Sequence, residues 1–450
     1  MDIKQFIDEN LESMKADLAD LVSFNSVYND DEKPFGYENK RVLDCAIKQM
    51  EEKGLATKNL DYYCAYGQTG EGNETIGVLA HLDVVPAGDD WDHDPFSLTE
   101  EDGYLYGRGV SDDKGAAVAS MYALKYLISE GYPFKKKVRL ILGCNEETGS
   151  LCIKHYVEKE GHINYGFTPD ANFPGIYAEK GVIGGKIIGH NTKIIDIWGG
   201  TVSNAVCAKV NAKLPNNSFD EDKLKAFLDK NKIRYEITKG ETFDIEVFGN
   251  AAHASTPDLG VNAFSYLMEA LYNAGFDDSF VKWFDKYFGL TLHGEILGFA
   301  EVQDEVTNTS INFGVVKKEG NDIIATLDMR FPVKSNIEAC RKLIEKCEDN
   351  TRENEFAYEK GVEPLFYDKN LPMIKALKNA YENVTGDKET EMDAIGGGTY
   401  AKSIHNCIAY GCEFIGEDNH IHDDDERLSV DSFKKQVELY VEAIKNLNEI

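Results

Sequence analysis

The segments ETIGVLAHLDVV (74–85) and KKVRLILGCNEE (136–147) are short apolar runs, and GAAVASMYALKYLISEG (115–131) lies between them. Both runs are typical of buried strands, and the first is rich in β-branched residues. The segment between them predicts a helix that ends at a glycine. A strand, a helix and a second strand in this order predict an α/β layer built on a largely parallel sheet.

The sequence changes character near residue 180. Between residues 181 and 362, alternating strands such as TFDIEVFG (242–249) are interspersed with helical patterns, which indicates a separate α+β domain. Helical and glycine-rich patterns return after residue 362. We therefore predict a catalytic domain formed by residues 1–180 and 363–450, with a mixed, largely parallel sheet flanked by helices. Residues 181–362 are predicted to form an inserted α+β lid domain.

The composition excludes several classes of partner. The 450 residues include 48 basic and 79 acidic side chains, which gives a formal net charge of −31. Such a charge repels nucleic acid and anionic membranes, so neither is an expected partner. The nine cysteines show no Cys-x-x-Cys spacing, which is typical of reduced thiols in a cytoplasmic protein. Since we also find neither a signal peptide nor a run of about 18 apolar residues, we expect a cytoplasmic location.

Carboxylates and imidazoles recur at the ends of the predicted elements and in polar turns outside the middle domain. They are His81, Asp83, Asp112, Glu146, Glu147, Asp170 and His422. Two adjacent carboxylates can divide the work of a metal hydrolase, because one binds metal while its neighbour transfers a proton. The combination therefore predicts a two-metal hydrolase.

Each of these residues also has a plain structural interpretation. A strand-end histidine can simply pack, Asp112 can cap a helix, and Asp170 can close an Asx turn. Glu146 and Glu147 can serve one site only if the strand ends before them, and exposed pairs of this kind are often solvated. A glycosidase pair is disfavoured, because its carboxylates flank a bond about 5 Å or more apart. His420 competes with His422 as a ligand.

Eight motifs resemble, in their order, the di-metal peptidase family of aminoacylases, glutamate carboxypeptidases and PepV-type dipeptidases. They are HLD (81–83), GRGVSDDKG (107–115), NEETGS (145–150), FTPDANFP (167–174), GNAAHASTPDLGVNA (249–263), MRFP (329–332), GGGTYA (396–401) and HDDDE (422–426). The resemblance spans nearly the whole chain. FTPDANFP and GGGTYA, with the long middle segment, most resemble the PepV-type dipeptidases.

The resemblance implies a site for two divalent ions. His81 and Asp170 would bind one ion, Glu147 and His422 would bind the other, and Asp112 would bridge them together with a water. Zinc is the expected metal, with manganese or cobalt as alternatives.

The resemblance also implies how the other residues near the metals act. Asp83 would orient His81, and Glu146 would be the general base that takes the proton of the bridging water. The peptide bond between Asp112 and Asp113 would be cis. The acidic residues 423–425 depart from related sequences, which bears on the metal preference.

A further group is implied to bind substrate. His253 would reach the scissile carbonyl, Asn204 would make a second carbonyl contact, and Arg330 would hold the substrate carboxylate. Gly396, Gly397 and Gly398 would lie near that carboxylate, and we expect them to leave backbone N–H groups open at the start of a helix.

The resemblance therefore implies a metal-dependent dipeptidase that acts on short peptides with a free C-terminal carboxylate. One alternative is an N-acyl-amino-acid amidohydrolase, such as a succinyl-diaminopimelate desuccinylase. A catalytically silent binding homologue is less favoured, because every expected position is filled. The resemblance to PepV-type dipeptidases, in which an enlarged lid supplies this histidine from the same chain, implies the same for His253, so we expect a monomer.

Overall fold

A computed structural model describes residues 1–299, 302–304, 306–347 and 353–450. The chain forms two compact units. The first consists of Met1–Ala178, Tyr367–Asp393 and Gly398–Ile450, and the second consists of Glu179–Phe366 and Ala394–Gly397.

Ten α-helices and twenty strands lie in the described part of the chain. The helices are α1 (Ile3–Val22), α2 (Tyr37–Glu52), α3 (Lys114–Ser129), α4 (Leu151–Glu160), α5 (Glu221–Lys230), α6 (Ala263–Asn273), α7 (Ser279–Tyr287), α8 (Ile337–Ile344), α9 (Pro372–Thr385) and α10 (Val430–Glu449). The strands of the first half are β1 (Ala56–Leu60), β2 (Cys64–Thr69), β3 (Thr75–His81), β4 (Thr99–Glu101), β5 (Tyr104–Tyr106), β6 (Lys137–Gly143), β7 (Tyr165–Thr168), β8 (Ile176–Glu179), β9 (Gly181–Gly189) and β10 (Asp196–Gly199). The remaining strands are β11 (Lys209–Leu214), β12 (Arg234–Lys239), β13 (Phe243–Phe248), β14 (Ser310–Glu319), β15 (Asp322–Phe331), β16 (Asn354–Val362), β17 (Leu365–Phe366), β18 (Asp393–Ile395), β19 (Cys407–Ala409) and β20 (Arg427–Ser429).

The first unit is built on a mixed sheet in the order β1-β2-β6-β3-β7-β19-β8. The central strands β6, β3, β7 and β19 run parallel, whereas β1, β2 and β8 pair in antiparallel fashion. Strand β3 is buried along its whole length, and helices α3 and α10 pack against it. The predicted α/β class with a largely parallel sheet is therefore confirmed.

The second unit contains an antiparallel sheet in the order β12-β13-β11-β10-β14-β15-β9-β16. Strand β13 alternates buried and half-buried residues, as expected when one face of a sheet is covered. Apolar residues of α6 and α7, such as Phe264 and Phe284, lie in the same core as the strands. This unit is therefore α+β, as the pattern of the middle segment predicted.

The segment Ala394–Gly397 differs from the predicted domain boundaries, because it belongs to the second unit. The Lys180 N–H donates to the carbonyl of Ile395 (2.9 Å), and the guanidinium of Arg330 donates to the carbonyl of Gly396 (3.1 Å). These long-range bonds assign the segment to the second unit, which the sequence alone does not reveal. A lid role for the second unit stays a prediction.

The ends of the parallel strands define one polar edge of the first unit. Strand β3 ends at His81, β6 ends at Gly143, and these two residues are partners in the sheet register. Both strands thus end before the polar residues that follow them, so neither Glu146 nor Glu147 lies in a strand. Loops at the carboxyl ends of parallel strands are the usual location of ligand sites in α/β folds.

A small sheet brings a distant part of the chain to this edge. Strand β20 pairs with β5, with Arg427 opposite Tyr106. The loop that precedes β20 therefore meets the turn that follows β5. The first of these segments carries His422 and the second carries Asp112.

Among the described residues, every helix is too short or too polar to pass through a lipid bilayer.

Candidate metal centre

Asp112 lies between two imidazoles. His81 Nε2 is 2.8 Å from Asp112 Oδ1, and His422 Nε2 is 3.0 Å from Asp112 Oδ2. His422 Nε2 is also 3.2 Å from Glu147 Oε1. Each oxygen of the Asp112 carboxylate therefore faces a different imidazole, which is the arrangement that a carboxylate bridging two cations requires.

Potential ligand atoms form two overlapping groups, within each of which all atoms lie within 4.8 Å of one another. The groups are His81, Asp112 and Glu147, and His81, Glu146 and Asp170. With the contacts of His422, they bring all five predicted metal ligands into one cluster. Glu146, predicted as a base, belongs to the same cluster.

A tight turn before α3 positions Asp112. A Cβ atom at Gly115 would lie 2.0 Å from the carbonyl oxygen of Val110, so this turn requires glycine. The peptide bond between Asp112 and Asp113 is cis, as the resemblance implies. The buried Asp113 carboxylate accepts the N–H of His81 (3.2 Å), so it supports the site and does not cap the helix.

Asp83 contacts His81 through its backbone carbonyl, whereas a metal-bound histidine often pairs with a carboxylate. The backbone carbonyl of Asp83 is 2.9 Å from His81 Nδ1, whereas the nearest carboxylate oxygen is 3.7 Å away. The carbonyl accepts a hydrogen bond from Nδ1–H, which leaves Nε2 for the cluster. The Asp83 carboxylate instead accepts the N–H groups of Glu146 (3.0 Å) and Glu147 (3.2 Å).

The electrostatics of the cluster favour a positive counter-charge. Burial raises the pKa of Asp83 to about 6. Burial, together with the charge of nearby carboxylates, raises the pKa of both Glu146 and Asp170 well above the usual range. Burial alone would lower the pKa of His422, but its bonds to Asp112 and Glu147 raise it to about 11.

These residues fit a pair of divalent cations. Buried carboxylates at this density are costly without a compensating charge. Carboxylate oxygens and imidazole nitrogens are the ligands that zinc and the neighbouring divalent transition metals accept. The chemistry of the donor set therefore agrees with the metals that the resemblance implies.

His422, and not His420, lies in the cluster. His420 Nδ1 is 3.2 Å from the carbonyl of Asp424, and its Nε2 is 3.5 Å from a carboxylate oxygen of Asp418. His422 has a φ of +64°, a left-handed conformation that is uncommon for residues other than glycine and is concentrated at functional sites. Asp425 is 2.9 Å from His93 Nδ1, so this residue of the acidic run binds outside the cluster.

The predicted substrate residues other than Gly398 lie in the second unit, where His253 is held by its own loop. His253 Nδ1 accepts the N–H of Ser255 (3.2 Å) and lies 2.7 Å from the Ser255 hydroxyl. Because a backbone N–H can only donate, Nδ1 is the acceptor and Nε2 carries the proton. The carbonyl of the exposed Asn204 accepts the N–H of Ala254 (2.8 Å), which places Asn204 beside this loop.

Arg330 is connected to the same loop through Gly396. The guanidinium donates to Asp328 through Nε (2.6 Å) and Nη2 (2.8 Å), and through Nη1 to the carbonyl of Gly396 (3.1 Å). A Cβ atom at Gly396 would lie 2.2 Å from Cβ of Ser255, so only glycine allows this approach. Three of the five guanidinium N–H groups are engaged in these bonds.

The predicted helix start after the glycines is wrong. Only a single 3₁₀ turn, Tyr400–Ser403, follows them, and the hydroxyl of Thr399 accepts the N–H of Ala401 (3.2 Å). A turn of this length has little dipole to attract an anion. Gly396 and Gly397 belong to the second unit, whereas Gly398 belongs to the first.

Sequence reasoning missed several residues that hold these groups. Asp328 orients Arg330, and its position two residues earlier on the same strand face was a usable signal. Burial and the neighbouring Arg330 lower the pKa of Lys180, which marks Lys180 as a second cation in this region. The contacts of Arg108 and Glu426, described below, join distant segments and leave no local signal.

Comparison with known proteins agrees with the site. The model of peptidase family M20/M25/M40 matches residues 77–446. "Putative dipeptidase YtjP" of Bacillus subtilis is 33% identical over 97% of this chain and 97% of its own length. "Putative dipeptidase SH1171" of Staphylococcus haemolyticus is 31% identical, with 96% of each chain covered.

Solved structures show the same fold. Human carnosine dipeptidase 1 matches with a TM-score of 0.62 and 17% identity, covering 100% of this chain and 98% of its own. The B. subtilis YXEP protein, described as a dinuclear metal binding peptidase from M20 family, matches with a TM-score of 0.51 and 10% identity, covering 97% and 99%. The family match and the two relatives confirm the resemblance: the chain belongs to peptidase family M20/M25/M40 and is a hydrolase of the metallopeptidase class.

Proposed function

We propose that the chain is a metal-dependent dipeptidase that hydrolyses short peptides with a free C-terminal carboxylate. The observation that carries the proposal is the Asp112 carboxylate, whose two oxygens face the imidazoles of His81 and His422 at 2.8 and 3.0 Å. The two relatives named above are each called a "putative dipeptidase", and the chain matches them along almost their whole length. Their names support this choice of substrate.

Five residues would hold two divalent ions. His81 and Asp170 would bind one ion, Glu147 and His422 would bind the other, and Asp112 would contact both. When bound, the ions would lower the pKa of a water toward about 7 and polarise the peptide carbonyl. We propose zinc as the metal, with manganese and cobalt as the alternatives.

Glu146 would be the general base and then the general acid. Its backbone N–H is held by the Asp83 carboxylate, and its own carboxylate lies in the ligand cluster. In this role it takes a proton from the attacking water and transfers that proton to the departing amine. Asp83 would therefore position both Glu146 and Glu147 through their backbone.

Residues of the second unit would bind the substrate. His253 would donate from Nε2 to the carbonyl oxygen as negative charge develops there, which its tautomer supports. Arg330 would bind the free carboxylate with its remaining N–H groups while Asp328 fixes the plane of the guanidinium. Asn204 would make a further contact with a carbonyl, and Gly396 would leave room for the carboxylate.

The test is a substrate panel with the metal-loaded chain. The panel contains dipeptides, the same dipeptides as C-terminal amides, N-acyl amino acids and N-succinyl diamines. We expect turnover of the free dipeptides alone. Preferential hydrolysis of the acylated compounds would replace the proposal with the amidohydrolase alternative, and no turnover of any compound by a chain with two bound ions would support a silent homologue.

A variant tests the role of Glu146 directly. Glu146→Ala should retain both ions and lose about 10²–10⁴-fold in kcat, the usual contribution of a general base, or more. Metal content is measured alongside the rate, because a loss of metal would also abolish turnover. Near-normal turnover with full metal content would refute the base assignment.

A further inference from the structure

The Glu426 carboxylate is completely buried and accepts four hydrogen bonds from the turn that carries Asp112. Oε1 accepts the N–H groups of Ser111 (2.9 Å) and Asp112 (3.0 Å). Oε2 accepts the N–H of Gly109 (3.0 Å) and Nη1–H of Arg108 (2.9 Å). The two oxygens thus bind three of the five backbone N–H groups of residues 108–112, together with the Arg108 side chain.

These bonds connect two of the proposed ligands. Glu426 follows His422 by four residues, and its carboxylate binds the backbone of Asp112. The carbonyl of Glu426 also accepts the N–H of Gly107 (3.1 Å), which continues the pairing of β20 with β5. A short, hydrogen-bonded path through Glu426 therefore connects His422 with Asp112.

Arg108 extends this connection to a third segment. Its guanidinium is 1% exposed, pairs with Glu426, and lies 5.1 Å from the ring centre of Trp91. Nη2 donates to the carbonyls of Pro86 (3.4 Å) and Ala87 (3.3 Å), in the loop that follows Asp83. Arg108 and Glu426 together contact all three loops that follow β3, follow β5 and precede β20.

Stability alone is a weak reason for such a pair. Burying an ion pair costs desolvation that its attraction often fails to recover, so apolar residues of similar volume would hold the loops at least as strongly. An ion pair with oriented hydrogen bonds does more, because it fixes the position and direction of the groups that it joins.

The loop before β20 needs this support because it contains unfavourable backbone conformations. His422 and Asp425 have φ values of +64° and +53°. Such conformations are costly and persist only where the surroundings fix them. The Asp425 carboxylate accepts the N–H groups of Asp92 (3.1 Å) and His93 (3.1 Å), so this loop is held on both sides.

We propose that Glu426, paired with Arg108, is a positioning residue that fixes His422 relative to Asp112 and thereby sets the affinity for the ion these two ligands would share. The inference rests on the two-ion site of the proposed function. It assigns no contact between Glu426 and the ions themselves.

The test measures zinc binding, by titration calorimetry and by metal content after dialysis against limiting Zn²⁺. Glu426→Gln keeps the size of the side chain but replaces one acceptor oxygen with an amide that cannot accept. We expect the affinity for the ion that His422 and Asp112 would share to fall about 10–100-fold, the usual effect of changing a residue that orients a ligand. The affinity for the other ion, which Asp112 would also contact, should fall less. Glu426→Asp, which keeps the charge, should recover part of the loss.

A matched control breaks a partly buried Arg–Glu pair in the same unit. Arg139 Nη1 is 2.9 Å from Glu160 Oε2, and both side chains are 12% exposed. Glu160→Gln should lower the melting temperature of the first unit without changing the affinity for either ion. The visible absorption of the chain loaded with Co²⁺ gives a second readout, because Glu426→Gln should lose intensity from one of its two ions and the control should not.

The outcomes separate this inference from the proposed function. A wild-type chain that binds fewer than two ions overturns both. If the wild-type chain binds two ions and Glu426→Gln binds both with unchanged affinity, the positioning role alone is overturned. A lower melting temperature of that variant would not rescue it. If Glu426→Gln does not fold, Glu426→Asp decides: a loss of affinity for one ion supports the role, and wild-type affinities overturn it.

Discussion

Glu269 is a buried carboxyl group that should make the second unit less stable at alkaline pH. It lies on α6 with 8% of its surface exposed, and its Oε1 has no hydrogen-bond partner among the described residues. Burial, the charge of Asp285 on α7 and a hydrogen bond shared with Asp285 raise the pKa of Glu269 from 4.5 to about 7. The folded chain therefore keeps a proton that the unfolded chain has already lost.

The sign of the effect follows from proton linkage. Between pH 4.5 and about 7, the folded state binds more protons at Glu269 than the unfolded state, so the free energy of unfolding falls as pH rises. One pKa unit corresponds to about 1.4 kcal/mol, so the change from 4.5 to about 7 gives an upper value of roughly 3 kcal/mol. Residual hydration reduces this, and we expect a loss of about 1–3 kcal/mol above pH 7.

Glu269→Gln tests this reasoning, because glutamine keeps the shape and can donate to Asp285 at every pH. The free energy of unfolding of the second unit is measured in urea at pH 5 and pH 8, with Trp283 on α7 as the fluorescent reporter. The variant should match the wild type at pH 5 and exceed it by about 1–3 kcal/mol at pH 8. Glu241→Gln, in an exposed turn of the same unit, controls for the loss of one negative charge. Equal pH dependence in the wild type and Glu269→Gln would refute the argument.

Four further predictions concern the proposed reaction. Asp83→Asn weakens the hold on the Glu146–Glu147 backbone and should lower the affinity for Zn²⁺ about 10–100-fold, measured by competition with a chelator; unchanged affinity would contradict the role. His253→Ala should leave metal content unchanged but reduce kcat about 10²–10³-fold, as for other donors to an oxyanion, and a change in KM alone would argue against it. Arg330→Ala should raise KM for free dipeptides about 10–100-fold, equivalent to a charge-assisted bond of 1.5–3 kcal/mol, and should have little effect on dipeptide amides. Sedimentation should show a monomer whose specific activity is independent of concentration, since a middle segment of this size would supply His253 from the same chain; an active dimer would overturn this.

The parallel core could be predicted from the sequence because its signals are local. The segments 74–85 and 136–147 are apolar enough to be buried strands wherever they lie, and the helix between them fixes their direction. Because adjacent parallel strands end at the same edge of a sheet, the polar residues that follow β3 and β6 were expected to lie close together. His81 and Glu147 needed no other information to be candidates for one site.

Other features depended on contacts between distant residues and left no local trace. The choice between His420 and His422 follows from the contact of His420 with Asp424 and of His422 with Asp112. The glycines before Thr399 have the composition of a helix start, but Gly396 is required by the approach of Ser255 from another segment. Gly396 was therefore a real signal, but of a close approach between two segments and not of a helix start.

The acidic residues beside the proposed ligands are arranged in a regular way that no single sequence motif reveals. Asp83 follows His81 and binds the backbone of Glu146 and Glu147. Asp113 follows Asp112 and binds the backbone of His81, and Glu426 follows His422 and binds the backbone of Asp112. Each loop thus carries one proposed ligand that faces the cluster and one carboxylate that holds the backbone of a different ligand loop.

These contacts between loops explain why so many acidic residues lie near the site. They also explain why the number of acidic residues does not give the number of metal ligands. In the sequence, an acidic neighbour of a ligand is equally well interpreted as a further ligand, a cap or a solvated side chain. In the structure each of these carboxylates accepts at least one backbone N–H of another loop, so it contributes position and leaves the donor set to residues such as Asp112. A substitution of Asp83, Asp113 or Glu426 should therefore displace a ligand in another loop. If such a substitution weakens metal binding only through the ligand of its own loop, the loops are held independently.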